Sequence, residues 1–367
     1  MRIAFLGPSY PWRGGIAQFA NILGNKLALQ GHEIMMFTFI HQYPALLFPG
    51  SEQMDSSSQT VKLPTQRILT PYNPLNWFSA IKDIKGWNPD VIIVSYWIPL
   101  MAPAFGFVLR NLRKTKIVYL LHNIEFHEKW PLADKLTRYA LKPADYYITL
   151  SANSAQSLYT ILKLKDQSKV INLFHPVYEH LIVQPDSDKA LKHKILFFGF
   201  VKHYKGLDIL LQAMPIVLKQ LPELKLVIAG DVYGDKHVYY DLIDKLGIKD
   251  NVELHFKYIP DEQLEEFFEA SDVCALPYRT ATQSGVAQMA FAHEVPVIAT
   301  QVGGIQEVVI DGENGLLVPP EDPTALAAKI VEFYEQGYSA KFKTAIRKQN
   351  RQYSWDSFVK QLMERIA

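Results

Sequence analysis

The sequence predicts an α/β chain of two doubly wound domains, each a parallel sheet with helices on both faces. Short apolar runs alternate with helix-period stretches twice along the chain, the order that puts strands inside and crossover helices outside. At 367 residues the chain exceeds what one ordinary core supports. Between the two series lies QPDSDKALKHK, residues 184–194, polar and without a strand pattern, which reads as a linker. The expected domains are therefore 1–184 and 185–350, with a terminal segment at 351–367.

In the first series the strand runs are RIAFLG, HEIMMFTFI, PDVIIVSYW, KIVYLLHN, DYYITLS and KVINLF, with helical patterns between most of them, the first over residues 16–30. In the second they are KILFFGF, LKLVIAGD, NVELHFK, DVCALPY and PVIAT. Val91 to Leu109 carries no charge and is long enough to span a bilayer, but Pro99, Pro103 and Gly106 interrupt it and its first half reads as a buried strand. Residues 41–64 are long and irregular, and loops of that kind in compact domains often recognise ligands.

Composition narrows the class. Hydrophobic residues at 49% and charged residues at 20% describe a globular chain rather than a disordered one. Cys274 is the single cysteine, so an intrachain disulfide and a cysteine metal site are both excluded, and a reducing, cytoplasmic setting fits. MRIAFLGPSYPW turns to Gly-Pro too early for a signal-peptide core. Charge is uneven: residues 1–184 hold 18 Lys and Arg against 11 Asp and Glu, and Arg110, Arg113, Lys114 and Lys116 cluster. With the apolar YWIPLMAPAF nearby, this predicts peripheral contact of the first domain with an anionic membrane surface.

Ligands of doubly wound sheets bind outside the carboxyl ends of the strands, which selects the loops that matter. After the first strand comes GPSYPWRGGIAQF, where Gly14 and Gly15 open a helix and allow a ligand to approach backbone. After KIVYLL come His122, Asn123, Glu125, His127 and Glu128. His122 at the strand end suits proton transfer or hydroxyl recognition, whereas His127 and Glu128 read as structural. After KILFF comes GFVKHYKGLDILLQAM, a strand-to-helix loop that adds Lys202 and Lys205 to the positive end of a helix dipole, a ready anion site. No G-x-G-x-x-G occurs in these loops, so a dinucleotide cofactor is not predicted, and no H-E-x-x-H supports a metal.

Two such halves, the Gly-Gly loop, the strand-end His and the G-x5-K-G loop resemble the family 4 glycosyltransferases of the GT-B fold, over essentially the whole chain. PVIATQVGGIQEVVIDGENGLLVPPEDPTALAAKI carries the strongest match, through Gly-Gly-x-x-Glu and Asn-Gly-Leu-Leu-Val-Pro, and YSWDSFVKQL resembles the family's last helix, which crosses back to the first domain. The resemblance implies two Rossmann-like domains facing a central cleft, and a retaining, hexosyltransferase-like enzyme of cell-envelope polysaccharide biosynthesis. Its donor would be a nucleotide-diphosphate sugar as co-substrate and its acceptor a glycan or lipid-linked glycan, with no metal, no other cofactor and no nucleic acid.

The resemblance places Lys205 on the donor diphosphate. The Arg usual after the loop's first Gly is Phe200 here, and Lys202 supplies a cation two residues later. Catalytic residues would be His122, Lys202 and Lys205. The donor would meet Gly14, Gly15, Gly199, Gly206, Arg279, Thr282, Gln283, Ser284, Gly285 and Val286, the last two at the start of an expected helix, and Asn123 and Glu125 would lie on the acceptor side. The family's two glutamates, with seven residues between them, fall on Ala281 and Met289, so both are absent. That leaves open a non-catalytic homologue binding sugar nucleotides or partners, and a sugar-nucleotide epimerase.

Overall fold

Two parallel sheets, buried on both faces, organise the computed structural model, which describes residues 1–43, 54, 62–124, 132–164, 166–178 and 191–366. The chain divides into two compact units, Met1–Phe174 with Trp355–Ala367, and His175–Ser354. The division at 174/175 precedes the linker expected at 184–194, most of which lies outside the described residues. Likewise the terminal segment that joins the first unit begins at Trp355 rather than at residue 351, because helix α12, Ser339–Gln352, stays with the second unit.

In the first unit seven strands run in the order β3-β2-β1-β4-β5-β6-β7, all pairs parallel. These are β1 Arg2–Leu6, β2 Glu33–Phe39, β3 Thr65–Leu69, β4 Val91–Tyr96, β5 Lys116–Leu121, β6 Tyr146–Thr149 and β7 Val170–Asn172. Alternation sends Ala4 and Leu6 into one apolar layer and Ile3 and Phe5 into the other. Helix α1, Gly15–Leu29, covers the second layer with α13, Trp355–Ile366, whose Trp355 stacks edge-on against Phe19 at 4.8 Å. Edge strand β3, TQRIL, escapes the sequence reading because only its last two residues are buried.

The uncharged run 91–109 resolves into β4, a 3-10 turn Pro99–Met101 and helix α3, Ala102–Arg110. Among the described residues no helix is long and apolar enough to cross a membrane. Most of YWIPLMAPAF, expected to face a membrane, packs into the core instead: Tyr96, Met101, Ala102, Ala104 and Phe105 are fully buried, while Ile98, Leu100 and Pro103 are half-buried.

In the second unit six parallel strands run β10-β9-β8-β11-β12-β13. They are β8 Lys194–Phe198, β9 Lys225–Ala229, β10 Val252–His255, β11 Val273–Leu276, β12 Val297–Thr300 and the edge strand β13 Gly315–Val318, which the sequence shows only as part of a motif. The strand order reverses between β1 and β4 in one sheet and between β8 and β11 in the other. Such switch points leave a crevice outside the strands' carboxyl ends, where ligands bind.

Candidate donor and acceptor sites

The loops at the second unit's switch point are those after β8 and β11. Gly199 leaves β8 at φ +98, a conformation that favours glycine, and a Cβ there would sit 3.0 Å from Lys205 Nζ and 3.3 Å from Val286. Gly199, Lys205 and Val286, far apart in sequence, thus converge. His203–Lys205 forms a 3-10 turn, Gly206 takes the left-handed conformation at φ +68, and helix α6, Leu207–Val217, follows. Gly206 is also required by crowding, since a Cβ would lie 2.0 Å from the Pro277 carbonyl oxygen.

Lys205 is 8% exposed. Its Nζ lies 5.2 Å from the Tyr278 ring centroid, and among the described residues no carboxylate pairs with it. Burial depresses its pKa below the ordinary lysine value, against the smaller opposing effects of Tyr204 and Cys274. Burial likewise pushes the Cys274 thiol up to about 12, despite the nearby Lys205. A desolvated ammonium without a carboxylate is an unfavourable arrangement that an anionic ligand would relieve. Lys202 is half-buried, with its Nζ over the Tyr233 ring at 4.5 Å.

The loop after β11 leads into helix α9, Gly285–Ala292, at the expected start. Ser284 caps it, its hydroxyl oxygen accepting from Ala287 N at 3.2 Å. Thr282 is buried, and the Gln283 amide oxygen is buried without a hydrogen-bond partner. So is the amide nitrogen of Gln288, a residue the sequence reading passed over because it looked like one more position on a helix. Ala281, where the family has its first glutamate, is buried with its carbonyl against Gly303, where a Cβ would come within 1.5 Å.

Arg279 departs from its expected role at the donor. Its Nη1 and Nη2 donate to the two Asp208 carboxylate oxygens at 2.9 and 2.7 Å, Nη1 also to the His203 carbonyl at 2.7 Å, and Nε to Glu321 at 3.1 Å. Burial alone would raise the Asp208 carboxyl, but hydrogen bonding and charge from Arg279 outweigh it and hold the group below its usual range. Four of the five guanidinium N–H groups are thus held by protein partners.

In the first unit the switch-point loops follow β1 and β4, and the loop after β5, which carries His122, lies one strand further along the sheet. Gly14 caps α1 at φ 111 and, having no side chain, offers the first N–H groups no cap of its own, and Gly15 is exposed. His122 continues β5, donating its backbone N–H to the Tyr96 carbonyl at 2.9 Å. Its ring is 3% exposed and meets Phe19 of α1 edge-on at 5.3 Å, which fixes it about one turn from the helix start. Asn123 is half-buried beside it. Glu125, His127 and Glu128 lie outside the described residues. Among the described residues no three His, Cys, Asp or Glu gather closely enough to hold a metal.

Two family models match the chain: "Glycosyltransferase Family 4" over residues 13–173 and "Glycosyl transferases group 1" over residues 192–336. The D-inositol 3-phosphate glycosyltransferase of Xylanimonas cellulosilytica is 33% identical over 178 residues, 47% of this chain and 42% of that protein. The match therefore spans less than half of that relative's length. An uncharacterized glycosyltransferase of Methanocaldococcus jannaschii is 25% identical across 98% of this chain and 96% of its own. In structure, Anabaena HepE, solved with UDP and glucose, superposes with a TM-score of 0.77 at 18% identity, covering 99% of each chain. Two switch-point sheets of this order, together with both family matches, establish that the chain belongs to the family 4 glycosyltransferases of the GT-B fold.

Proposed function

We propose that the protein transfers a sugar from a nucleoside diphosphate donor to a hydroxyl of a glycan or lipid-linked glycan, with retention of configuration. The observation that carries this reading is Lys205: a buried ammonium with no carboxylate partner among the described residues, at the switch point of the second sheet. In the reaction the bond from the anomeric carbon to the diphosphate oxygen breaks, the acceptor oxygen takes its place, and the nucleoside diphosphate leaves with the proton that the acceptor hydroxyl gives up. Lys205, with Lys202 beside it, would stabilise the charge that grows on that leaving group. Complexes of HepE with UDP and with UDP-glucose support a nucleotide sugar as the ligand class. His122 and the glycine-led start of α1 would serve the reacting sugar and the acceptor.

Cations at the diphosphate support a reaction without a metal, and no cofactor besides the nucleotide sugar is invoked. Exposed Arg113 and Lys114 line a groove of about 490 Å³ with Lys116 and Lys169 against the carboxylates Asp145 and Asp166, a basic excess, and Tyr72, Leu75 and Phe78 are exposed near the start of helix α2, Pro74–Trp87. Together they support peripheral contact of the first unit with an anionic membrane carrying a lipid-linked acceptor. Ala281 and Met289 in place of the glutamate pair favour a second reading, a binder of sugar nucleotides without turnover.

The test is thermal unfolding with a panel of nucleotide sugars, followed by product analysis with and without acceptor glycans. A ligand at a hundredfold excess over its Kd should stabilise by about 2.7 kcal/mol. Stabilisation with transfer supports the proposal, and stabilisation without any product supports the binder. An isomerised donor in the absence of acceptor indicates an epimerase, and no stabilisation by any nucleotide sugar overturns the donor site.

A further inference from the structure

We propose that Arg279 and Asp208 are a positioning pair for sugar transfer: their ion pair locks the Lys205 loop against the segment after β11, so that the Lys205 ammonium stays at the diphosphate site. The inference rests on the transferase reading for its effect on turnover, but not for its effect on Lys205 itself.

A buried ammonium on a flexible four-carbon stem is drawn toward water. What opposes its escape is the backbone from which it extends. Arg279 grips that backbone on both sides of Lys205. Its own N–H donates to the Tyr204 carbonyl at 2.7 Å and its Nη1 to the His203 carbonyl at 2.7 Å, while Asp208 accepts both Nη groups three residues beyond Lys205. Gly206, packed on the Pro277 carbonyl, closes the same contact, and Glu321 fixes the guanidinium from a third segment. The guanidinium is 17% exposed and the Asp208 side chain 31%, so solvent screens the pair only in part. The planar fork matters as well as the charge, because one residue bridges a carboxylate and a carbonyl with fixed geometry. Lys205 then faces Tyr204, Tyr278 and Cys274, with no carboxylate to hold it locally.

The test uses Arg279→Ala, Arg279→Lys and Asp208→Asn in the full chain, each alone and with Lys205→Met. Circular dichroism and thermal unfolding establish which variants fold; if Arg279→Ala does not, Asp208→Asn carries the measurement. Folded variants should lose about 10²-fold in kcat, the scale of a roughly 1 Å misplacement, with a smaller change in donor KM. Arg279→Lys should fall between, keeping the charge and losing the fork. With Lys205→Met already present, the same changes should cost far less, since they act through the ammonium. Independently of turnover, titration of the Lys205 amine by 15N NMR should show its pKa rising toward that of a solvated lysine in Arg279→Ala. An equal loss of kcat with and without Lys205, or an unchanged Lys205 titration in a folded variant, overturns the proposal. If the unmodified protein transfers no sugar, the transferase reading fails and the titration still decides the positioning role.

Discussion

Replacing Lys205 by methionine should move activity and stability in opposite directions. Methionine keeps an unbranched apolar stem and removes the charge. In a site of effective dielectric about 20, a unit charge growing on the diphosphate at roughly 4 Å from the ammonium is worth about 4 kcal/mol. Each 1.36 kcal/mol is tenfold in rate, so turnover should fall by about 10²- to 10³-fold. Stability of the ligand-free protein should instead rise, by on the order of 1–3 kcal/mol, because a buried ammonium without a carboxylate partner is replaced by an apolar group. The pH dependence follows in sign. Since burial lowers the folded pKa below the ordinary 10.5, the unfolded chain binds more protons between the two values. The cost of burying Lys205 is then fully present below its folded pKa and disappears as pH rises through that window toward 10.5. The advantage of the methionine variant should therefore shrink with rising pH, and wild-type kcat/KM should fall along an alkaline limb below 10.5 that the variant lacks. Steady-state kinetics and denaturant melts across pH measure all three. A variant that is less stable than wild type and retains near-normal kcat/KM would refute the anion-site reasoning.

Lys202→Ala should lower turnover in the same direction but less, because its half-buried ammonium already rests on Tyr233; an effect larger than that of Lys205→Met would reverse the assignment. His122→Ala should reduce kcat more than nucleotide affinity measured by calorimetry, since the proposed nucleotide contacts lie in the second unit; equal losses in both would count against that placement. Turnover should survive EDTA, with the two lysines and helix termini at the diphosphate, and a strict need for magnesium or manganese would defeat this assignment of the cations. In sedimentation with vesicles, the protein should bind anionic and not neutral ones, and release as salt rises, each basic residue contributing about 1 kcal/mol screened over roughly 10 Å. Phe78→Ser with Leu75→Ser should weaken that binding; a protein that stays in the supernatant at low salt shows the basic face to be only a solvated surface.

By itself the sequence determined the two β/α series and the loops worth reading. Strands buried on both faces of a sheet must be continuous apolar runs, and a loop between such a run and a helix can hold an anion whatever the rest of the chain does. Lys205, His122, Gly14 and the start of α9 were legible for that reason. Edge strand β3 was not, because only its last two residues are buried, and β13, GLLV, although apolar and mostly buried, was read only as part of the Asn-Gly-Leu-Leu-Val-Pro motif. Nor could composition tell YWIPLMAPAF, an apolar stretch for the core, from one for a membrane; only packing decides what an apolar surface meets. The function of Arg279 lay furthest from reach. Asp208 is 71 residues away, and the two meet because β8 and β11 are neighbours while β9 and β10 lie on the other side of β8. Local pattern fixes which segments are strands, but strand order is settled by how crossovers pack over the whole sheet, and that order brought an arginine after β11 onto Asp208, three residues from Lys205.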